Sequence, residues 1–355
     1  MTAKDFEIRP FNLRSASPEE YASLNAFRNI LRLEILPEDP PWPCSEDVHR
    51  WQAMPAIIQD AAWAIWDGSH QCILAFGEAN IFHTGDNPRV LDVRIEVLPE
   101  FRRKGLGREL LRLVAAHARN EGRTLLMPEC NDRVPAGAAF LERIGGRKGL
   151  DEPINQLRLA DLDHSLVQHW VEREGDLSAE FALELWDAPY PEDRLQDLAG
   201  LMQVVANDQP RDTLSLEDIN YTPELVRQFD NHQLAGGDQR WSLYLTHRED
   251  DSLVGITEVF WNPNRPGILW QGFTGVMPEY RNRGLGRWLK AAMLTRILRD
   301  RPQVKVIRAG NADSNAPMLK INHALGFRRY IAWAIWQVEL DSVEMYLSAH
   351  PRRIP

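Results

Sequence analysis

Cysteine is scarce in this chain of 355 residues: only Cys44, Cys72 and Cys130 are present, all in the first half. The number is odd, and neither Cys-x-x-Cys spacing nor a histidine at metal-ligand spacing accompanies them, so neither a disulfide framework nor a thiolate metal site organises the fold. Buried, reduced thiols and no bound metal are expected. Positive charge is also in deficit. The net charge is -10 and the sequence pI about 5.5, which gives no broad attraction to nucleic acid or to an anionic membrane surface. No window approaches the roughly 18 uncharged apolar residues of a membrane span, and the N-terminal MTAKDFEIRPFN lacks the apolar core of a secretory signal. A cytoplasmic location without nucleic-acid or membrane partners is the resulting expectation. Two phosphate signatures are missing as well. No G-x-x-x-x-G-K-[ST] loop occurs, and no third glycine completes a dinucleotide fingerprint in an early βαβ unit.

What is present is a basic, glycine-containing turn, MPEYRNRGLGRWL, from Met277 to Leu289. A strand-like run, Ile268 to Val276, leads into it, and a helix-period run opens at its second glycine. Arg281, Arg283 and Arg287 therefore crowd a helix N-terminus, where the macrodipole already supplies about half a positive charge. Acidic residues would stabilise such an end. A basic cluster there, with glycines that let N–H groups face outward, fits a site completed by an anion such as a phosphate.

The same device appears in LPEFRRKGLGREL, Leu98 to Leu110. Aligning Pro99 with Pro278 gives eight identities in twelve positions, and a second pair of glycine landmarks, Gly145 and Gly326, keeps nearly the same spacing. The repeat is about half the chain long, far beyond the roughly 20 to 50 residues of solenoid units, so it marks duplication of a whole domain. Periodicity gives each half the order strand, two helices, three strands, helix, strand, helix, strand. The expected fold class is α/β of the α+β type: two tandem domains, each with a mixed, mostly antiparallel central sheet flanked by helices. The expected boundaries are residues 1–165, a linker at 166–176, a second domain at 177–340, and a tail at 341–355 formed by a short helix and a Pro/Arg end. Ile154 to Leu159 reads as the closing strand of the first copy, and Ile331 to Val338 as that of the second.

[QR]-x-x-G-x-[GA] after a central strand, followed by a strand and a helix ending in Leu-Gly-Phe, resembles the GNAT superfamily of acetyl-CoA-dependent N-acetyltransferases. The resemblance covers essentially the whole chain as two copies. It implies that loop amides and basic side chains hold the coenzyme A pyrophosphate: Arg281, Arg283, Gly284, Leu285, Gly286 and Arg287 in the second copy, and Arg102, Lys104, Gly105, Leu106, Gly107 and Arg108 in the first. It also implies that the main chain near Val276 and near Val97 pairs with the pantetheine arm as an added strand would. The implied co-substrate is acetyl-CoA, and the implied partner is a small-molecule or peptide amine acceptor, bound by a monomer or homodimer.

The copies part at the last helix. The family pattern N-x-x-A-x-x-[LF]-Y-x-x-x-G-F meets Asn315, Met318, Ile321, Asn322, Gly326 and Phe327 in the second copy, but Val134, Gly137, Phe140, Leu141, Gly145 and Gly146 in the first. Asn315 keeps the coenzyme-facing amide, whereas Asn322 and Leu141 stand where a tyrosine acid is usual. Chemistry is therefore expected in the C-terminal copy, with Asn322 either hydrogen-bonding the sulfur or thioester, without transferring a proton, or serving as a buried helix-end amide. Glu258, with Glu78 as its first-copy counterpart, is the expected base, against the plain alternative of a solvent-facing strand residue. Trp261, Trp270, Trp288, Trp333 and Trp336 either line an acceptor cleft or pack the core. A non-catalytic acyl-CoA sensor or interaction module and a nucleotide-binding protein are the competing functions.

Overall fold

A computed structural model of the chain describes residues 6–351, and it divides into two compact units. Unit 1 holds the chain up to Asp151, the segment Arg211–Glu217 and the chain from Ala332 on; unit 2 holds Glu152–Pro210 and Asp218–Ile331.

Unit 1 begins with β1 (Phe6–Phe11), α1 (Pro18–Ile35), α2 (Cys44–Gln52), β2 (Ile58–Asp67), β3 (Ile73–Phe82) and β4 (Val90–Val97). It continues with α3 (Leu106–Asn120), β5 (Leu125–Asn131), α4 (Pro135–Arg143) and β6 (Arg147–Asp151). Ser17 starts α1 with a capping box, accepting from Glu20 N at 3.2 Å while Glu20 Oε2 accepts from Ser17 N at 2.8 Å. Strand alternation assigns the two faces of the sheet. Phe76 packs with Leu24 and Phe27 of α1, whereas its neighbour Ala75 packs with Leu106 and Leu110 of α3, so α1 and α3 cover opposite faces.

Unit 2 repeats the plan: β7 (Ile154–Arg158), α5 (His164–Gly175), β8 (Phe181–Asp187), α6 (Leu195–Asn207), α7 (Pro223–Ala235), β9 (Gln239–His247), β10 (Leu253–Trp261) and β11 (Ile268–Val276). It ends with α8 (Leu285–Asp300), β12 (Val306–Gly310), α9 (Ala316–Leu325) and β13 (Arg328–Ile331). The chain then supplies β14 (Trp333–Glu339) and α10 (Leu340–Ala349) to unit 1.

The sheets run β1-β2-β3-β4-β5-β14-β6 and β13-β7-β12-β11-β10-β9-β8. The strand pairs are antiparallel except β4 with β5 and β11 with β12. The equivalent strands β7 and β14 are thus exchanged: each lies in the sheet built by the other half of the sequence. Ile154 to Leu159 does not close the first copy but pairs with β12 and β13, and the run Ile331 to Val338 is two strands in different sheets. The segment expected as a linker, 166–176, falls largely in α5, whose Val167 and Trp170 are buried in the unit 2 core. The thiols also differ from expectation, since Cys72 is exposed and Cys44 and Cys130 are half-buried. The Pro/Arg end from residue 352 on lies outside the described residues.

Candidate functional site

Both repeated loops adopt one backbone conformation. Gly105 has φ 95° and ψ -7°, and Gly284 has φ 94° and ψ -7°, the left-handed region that glycine enters without a Cβ clash. Arg103 and Asn282, both at φ 62°, precede them by two residues in positive φ as well. Consecutive turns of this kind gather N–H groups into a concave anion seat, and the first N–H groups of α3 and α8 lack intrahelical partners. The coenzyme pyrophosphate fits this arrangement.

The basic side chains around the loops divide sharply. Arg102 Nε donates to Val97 O at 3.1 Å, and its two terminal nitrogens grip Glu34 at 2.6 and 2.5 Å. Arg281 repeats this, donating to Val276 O at 2.9 Å and pairing with Asp208 at 2.7 Å. Both arginines, expected to face an anion, instead satisfy the carbonyl left at the end of a strand and brace the loop. Arg283 is bound by Glu180 and lies 5.0 Å from the Phe181 ring. In the first copy, Arg103 and Arg108 line a cavity and make no ion pair within 4.0 Å among the described residues, and Lys104 rests 4.8 Å from the Phe101 ring. Arg108 Nε is buried without a partner. The unit 1 loop therefore keeps positive charge that the unit 2 loop has largely neutralised.

That cavity, about 700 Å³, lies wholly within unit 1. Its volume falls in the ordinary range of small-molecule sites. It exists because β4 and β5 pair only from Val90↔Leu125 to Val93↔Pro128 and then diverge. Pro128 has no N–H to extend the ladder. Leu111, Phe140 and Ile144 wall one end of the cavity, and Arg28, Leu31 and Trp42 wall the other. The cavity thus passes through the sheet, from the α3–α4 face to the α1–α2 face. Val97, Gly105, Leu106 and Gly107 line its margin.

Leu91, Val93 and Ile95 pack towards α3, so Asp92, Arg94 and Glu96 project from the α1–α2 face of β4, and Glu129 from the same face of β5. Burial pushes the Asp92 carboxyl up to about 6; Arg94 acts against that, while Glu129 and Glu78 reinforce it. Arg94 is held firmly charged: burial opposes its protonation, but Glu96, Glu78, Asp92 and Glu129 outweigh that effect. Glu78 lies opposite Arg94 on β3 and accepts from Asn80 Nδ2 at 2.9 Å.

The corresponding region of unit 2 is filled. Glu258 is 1% exposed, accepting from Tyr190 Oη at 2.5 Å and Ser242 Oγ at 2.7 Å, with Arg240 Nε 3.7 Å away. Burial raises its pKa against the pull of Arg240. Its Oε1 is thus the hub of a buried network in which Asp230 also binds Arg240. Asn322, 0% exposed, donates to Asn311 Oδ1 at 2.6 Å, and its own Oδ1 is buried without a partner. Asn315 caps α9 through Met318 N and donates to Gln209 Oε1 at 3.0 Å, so both ends of its amide are engaged. Lys290, which aligns with the cavity-lining Leu111, is 3% exposed, and burial pushes its ammonium down to about 7. Of the five tryptophans, Trp333 lines the unit 1 cavity, Trp288 and Trp336 are buried, and Trp261 and Trp270 are half-buried.

Asp92, Arg94, Glu96 and Glu129 escape a reading by periodicity, because alternating charge on a strand signals an open face. Their one available signal was position: β4 precedes the basic loop, and a central strand in a sheet flanked by helices is covered on both faces.

A sheet with two diverging central strands beside a glycine-cradled helix start, built twice in one chain, defines a tandem acyltransferase architecture. The family model for the acetyltransferase (GNAT) family matches residues 27–145 and 201–327, and the chain belongs to that family. No curated protein sequence matches the chain. Among solved structures, it is similar to a tandem GNAT protein from the clavulanic acid biosynthesis pathway, with 22% identity over 95% of this chain and 99% of that one and a TM-score of 0.76. It is also similar to a GCN5-related N-acetyltransferase from Sphaerobacter thermophilus, with 14% identity over 94% and 96% of the two chains and a TM-score of 0.63. At these identities the structural likeness concerns the fold. Among the described residues, no helix is long and apolar enough to cross a membrane, and no group of histidine, cysteine or acidic residues is arranged to hold a metal ion.

Proposed function

We propose that the chain transfers an acetyl group from acetyl-CoA to a primary amine by direct attack, and that donor and acceptor meet in the unit 1 cavity rather than in the C-terminal copy that Asn315 favoured. The observation that carries this reading is the course of the cavity, which joins the unpaired loop amides and basic side chains on the α3–α4 face to Asp92 on the α1–α2 face. The pyrophosphate would rest on the N–H groups around Gly105 to Gly107, with Arg103, Lys104 and Arg108 supplying charge. The pantetheine arm would run along the β5 side of β4 beyond Val93, where β5 no longer pairs with it while β3 still holds the other edge. Asp92, titrating near neutrality, takes a proton from the ammonium of the acceptor. The freed nitrogen attacks the thioester carbonyl, the C–N bond forms and the C–S bond breaks. β4 N–H groups facing the divergence stabilise the oxyanion. With Leu141 at the usual tyrosine position, the sulfur leaves as a thiolate, tolerable for a thiol of pKa about 8.5, and is protonated by solvent.

A non-catalytic acyl-CoA sensor is the second reading, favoured by the absence of that tyrosine from both copies. The two are separated by following free thiol from acetyl-CoA with an amine panel, alongside thermal shift. Amine-dependent thiol release supports transfer. Stabilisation by acetyl-CoA with no thiol release from any amine supports the sensor and removes the transfer reading.

A further inference from the structure

Among the described residues, the α1–α2 face of the unit 1 cavity carries one cation without a direct partner. Arg28 is committed to Asp47 at 2.7 Å and lies 4.9 and 5.4 Å from the rings of Trp42 and Trp51. Arg32 donates to the carbonyls of Leu36 and Asp39. Arg102, at the margin, is held by Glu34. Arg94 alone on this face has no hydrogen-bond or ion-pair partner within 4.0 Å among the described residues; it lines the cavity and is open to solvent there. Its five N–H donors are therefore not taken up by direct contact with the protein and are available to a molecule in the cavity. The surrounding carboxylates, Asp92, Glu96 and Glu129 on the cavity wall and Glu78 across the strand pair, are near enough to hold the guanidinium charged but not to neutralise it by direct contact.

A planar guanidinium fork matches a carboxylate with two parallel hydrogen bonds, while anionic side chains match an ammonium. Asp92 and Arg94 are alternate residues on one face of β4, so their Cα atoms stand about 7 Å apart, and the long arginine side chain can shorten that span. A small molecule with an ammonium and a carboxylate a few bonds apart meets both groups at once. A simple polyamine would leave Arg94 unanswered and bring more positive charge against it. A peptide N-terminus places its nearest carboxylate one peptide or more away.

Resting on the acyl-transfer reading above, we propose that the acceptor is an amino-carboxylic acid, whose carboxylate is bound by Arg94 while its ammonium is presented to Asp92. Arg94 then sets specificity at the acceptor and has no part in holding acetyl-CoA.

The experiment is steady-state thiol release by the full chain with matched acceptors that differ only by a carboxylate, such as β-alanine with ethylamine and lysine with cadaverine. Wild type should favour the carboxylated member in kcat/KM by about ten- to a hundredfold, the worth of a charge-assisted double hydrogen bond. Arg94→Gln should raise KM for the amino acid at least tenfold and abolish the preference, with the affinity for acetyl-CoA within about twofold; because loss of the Arg94 charge also raises the Asp92 carboxyl, the readout is the ratio within each matched pair, in which that effect cancels. Arg94→Lys, which keeps the charge and loses the fork, should recover part of the preference, and it serves where Arg94→Gln does not fold. Equal or better turnover of the amines without a carboxylate would overturn the proposal while leaving acyl transfer intact, and so would an equal loss for both members of a pair in Arg94→Gln. Thiol release with no acceptor at all in the wild type would overturn both readings together.

Discussion

Lys290→Leu should make unit 2 more stable at neutral pH, because it removes an ammonium from the protein interior and installs the residue that the first copy carries in the aligned position, Leu111. Lys290 is 3% exposed; its ammonium makes a 3.4 Å hydrogen bond to Gln271 Oε1 and lies 5.5 Å from the Phe327 ring. Burial pushes its pKa down to about 7 in the folded chain, against about 10.4 when unfolded. Between those values the unfolded state binds the extra proton, so wild-type stability rises with pH across that window by up to about 1.4 kcal/mol per pH unit. Over the whole window this amounts to about 4 to 5 kcal/mol, with the full penalty present below pH 7 and gone above about pH 10.4. Leucine gives up the bond to Gln271, worth about 1 kcal/mol. The variant should therefore exceed wild type by about 3 kcal/mol at pH 7, and the difference should shrink steadily towards pH 10. Urea unfolding at intervals from pH 6.5 to 10, followed by tryptophan fluorescence, measures it. Titrations common to both proteins cancel in the comparison. Parallel stability profiles, or a wild type more stable than Lys290→Leu at pH 7, would refute an enclosed ammonium at this position.

Three further outcomes follow from the two units. Gly105→Glu should abolish the principal acetyl-CoA site measured by calorimetry, since an anion would enter the pyrophosphate seat and a side chain would sit at φ 95°, whereas Gly284→Glu should leave that site in place; the reverse result would move the donor site to unit 2. Asp92→Asn should lower kcat/KM by about 10²- to 10⁴-fold and remove the rise in rate through about pH 6, with acetyl-CoA affinity unchanged. An unaltered pH profile would take the base role from Asp92. Glu258→Gln should destabilise the chain by about 1 to 2 kcal/mol by weakening the charge-assisted hydrogen bonds from Tyr190 and Ser242, Arg240 keeping Asp230 as its partner, without altering coenzyme affinity; wild-type stability with lost turnover would return Glu258 to the chemistry.

The duplicated loop was legible because its evidence is local: glycine at fixed offsets, a helix start and charge of an unexpected sign. Its conformation is the same at Gly105 and Gly284, as the identities between the two stretches implied. The order of elements was legible for the same reason. Strand partners were not, because alternation in Ile154 to Leu159 shows that the segment is a strand without showing which sheet receives it. Basic residues were assigned by proximity in sequence, yet Arg102 and Arg281 turn back to strand carbonyls because an arginine within reach of an orphaned acceptor and a carboxylate satisfies both. The filled interior of unit 2 was hidden too. It depends on Tyr190, Asp230 and Arg240, which meet Glu258 only after the chain has folded.

The exchange of β7 and β14 sets a clock on the protein's birth. Unit 1 cannot insert a strand between β5 and β6 until Trp333–Glu339 has been made, and β6 ends at Asp151. At about 5 to 20 residues per second, the ribosome needs on the order of 10 to 40 s to cover that interval. For that time the first sheet carries two unpaired inner edges, open to pairing with other nascent chains. A chain cut between the halves would keep those edges permanently: each fragment holds its own glycine loop but lacks the strand that its sheet takes from the other half.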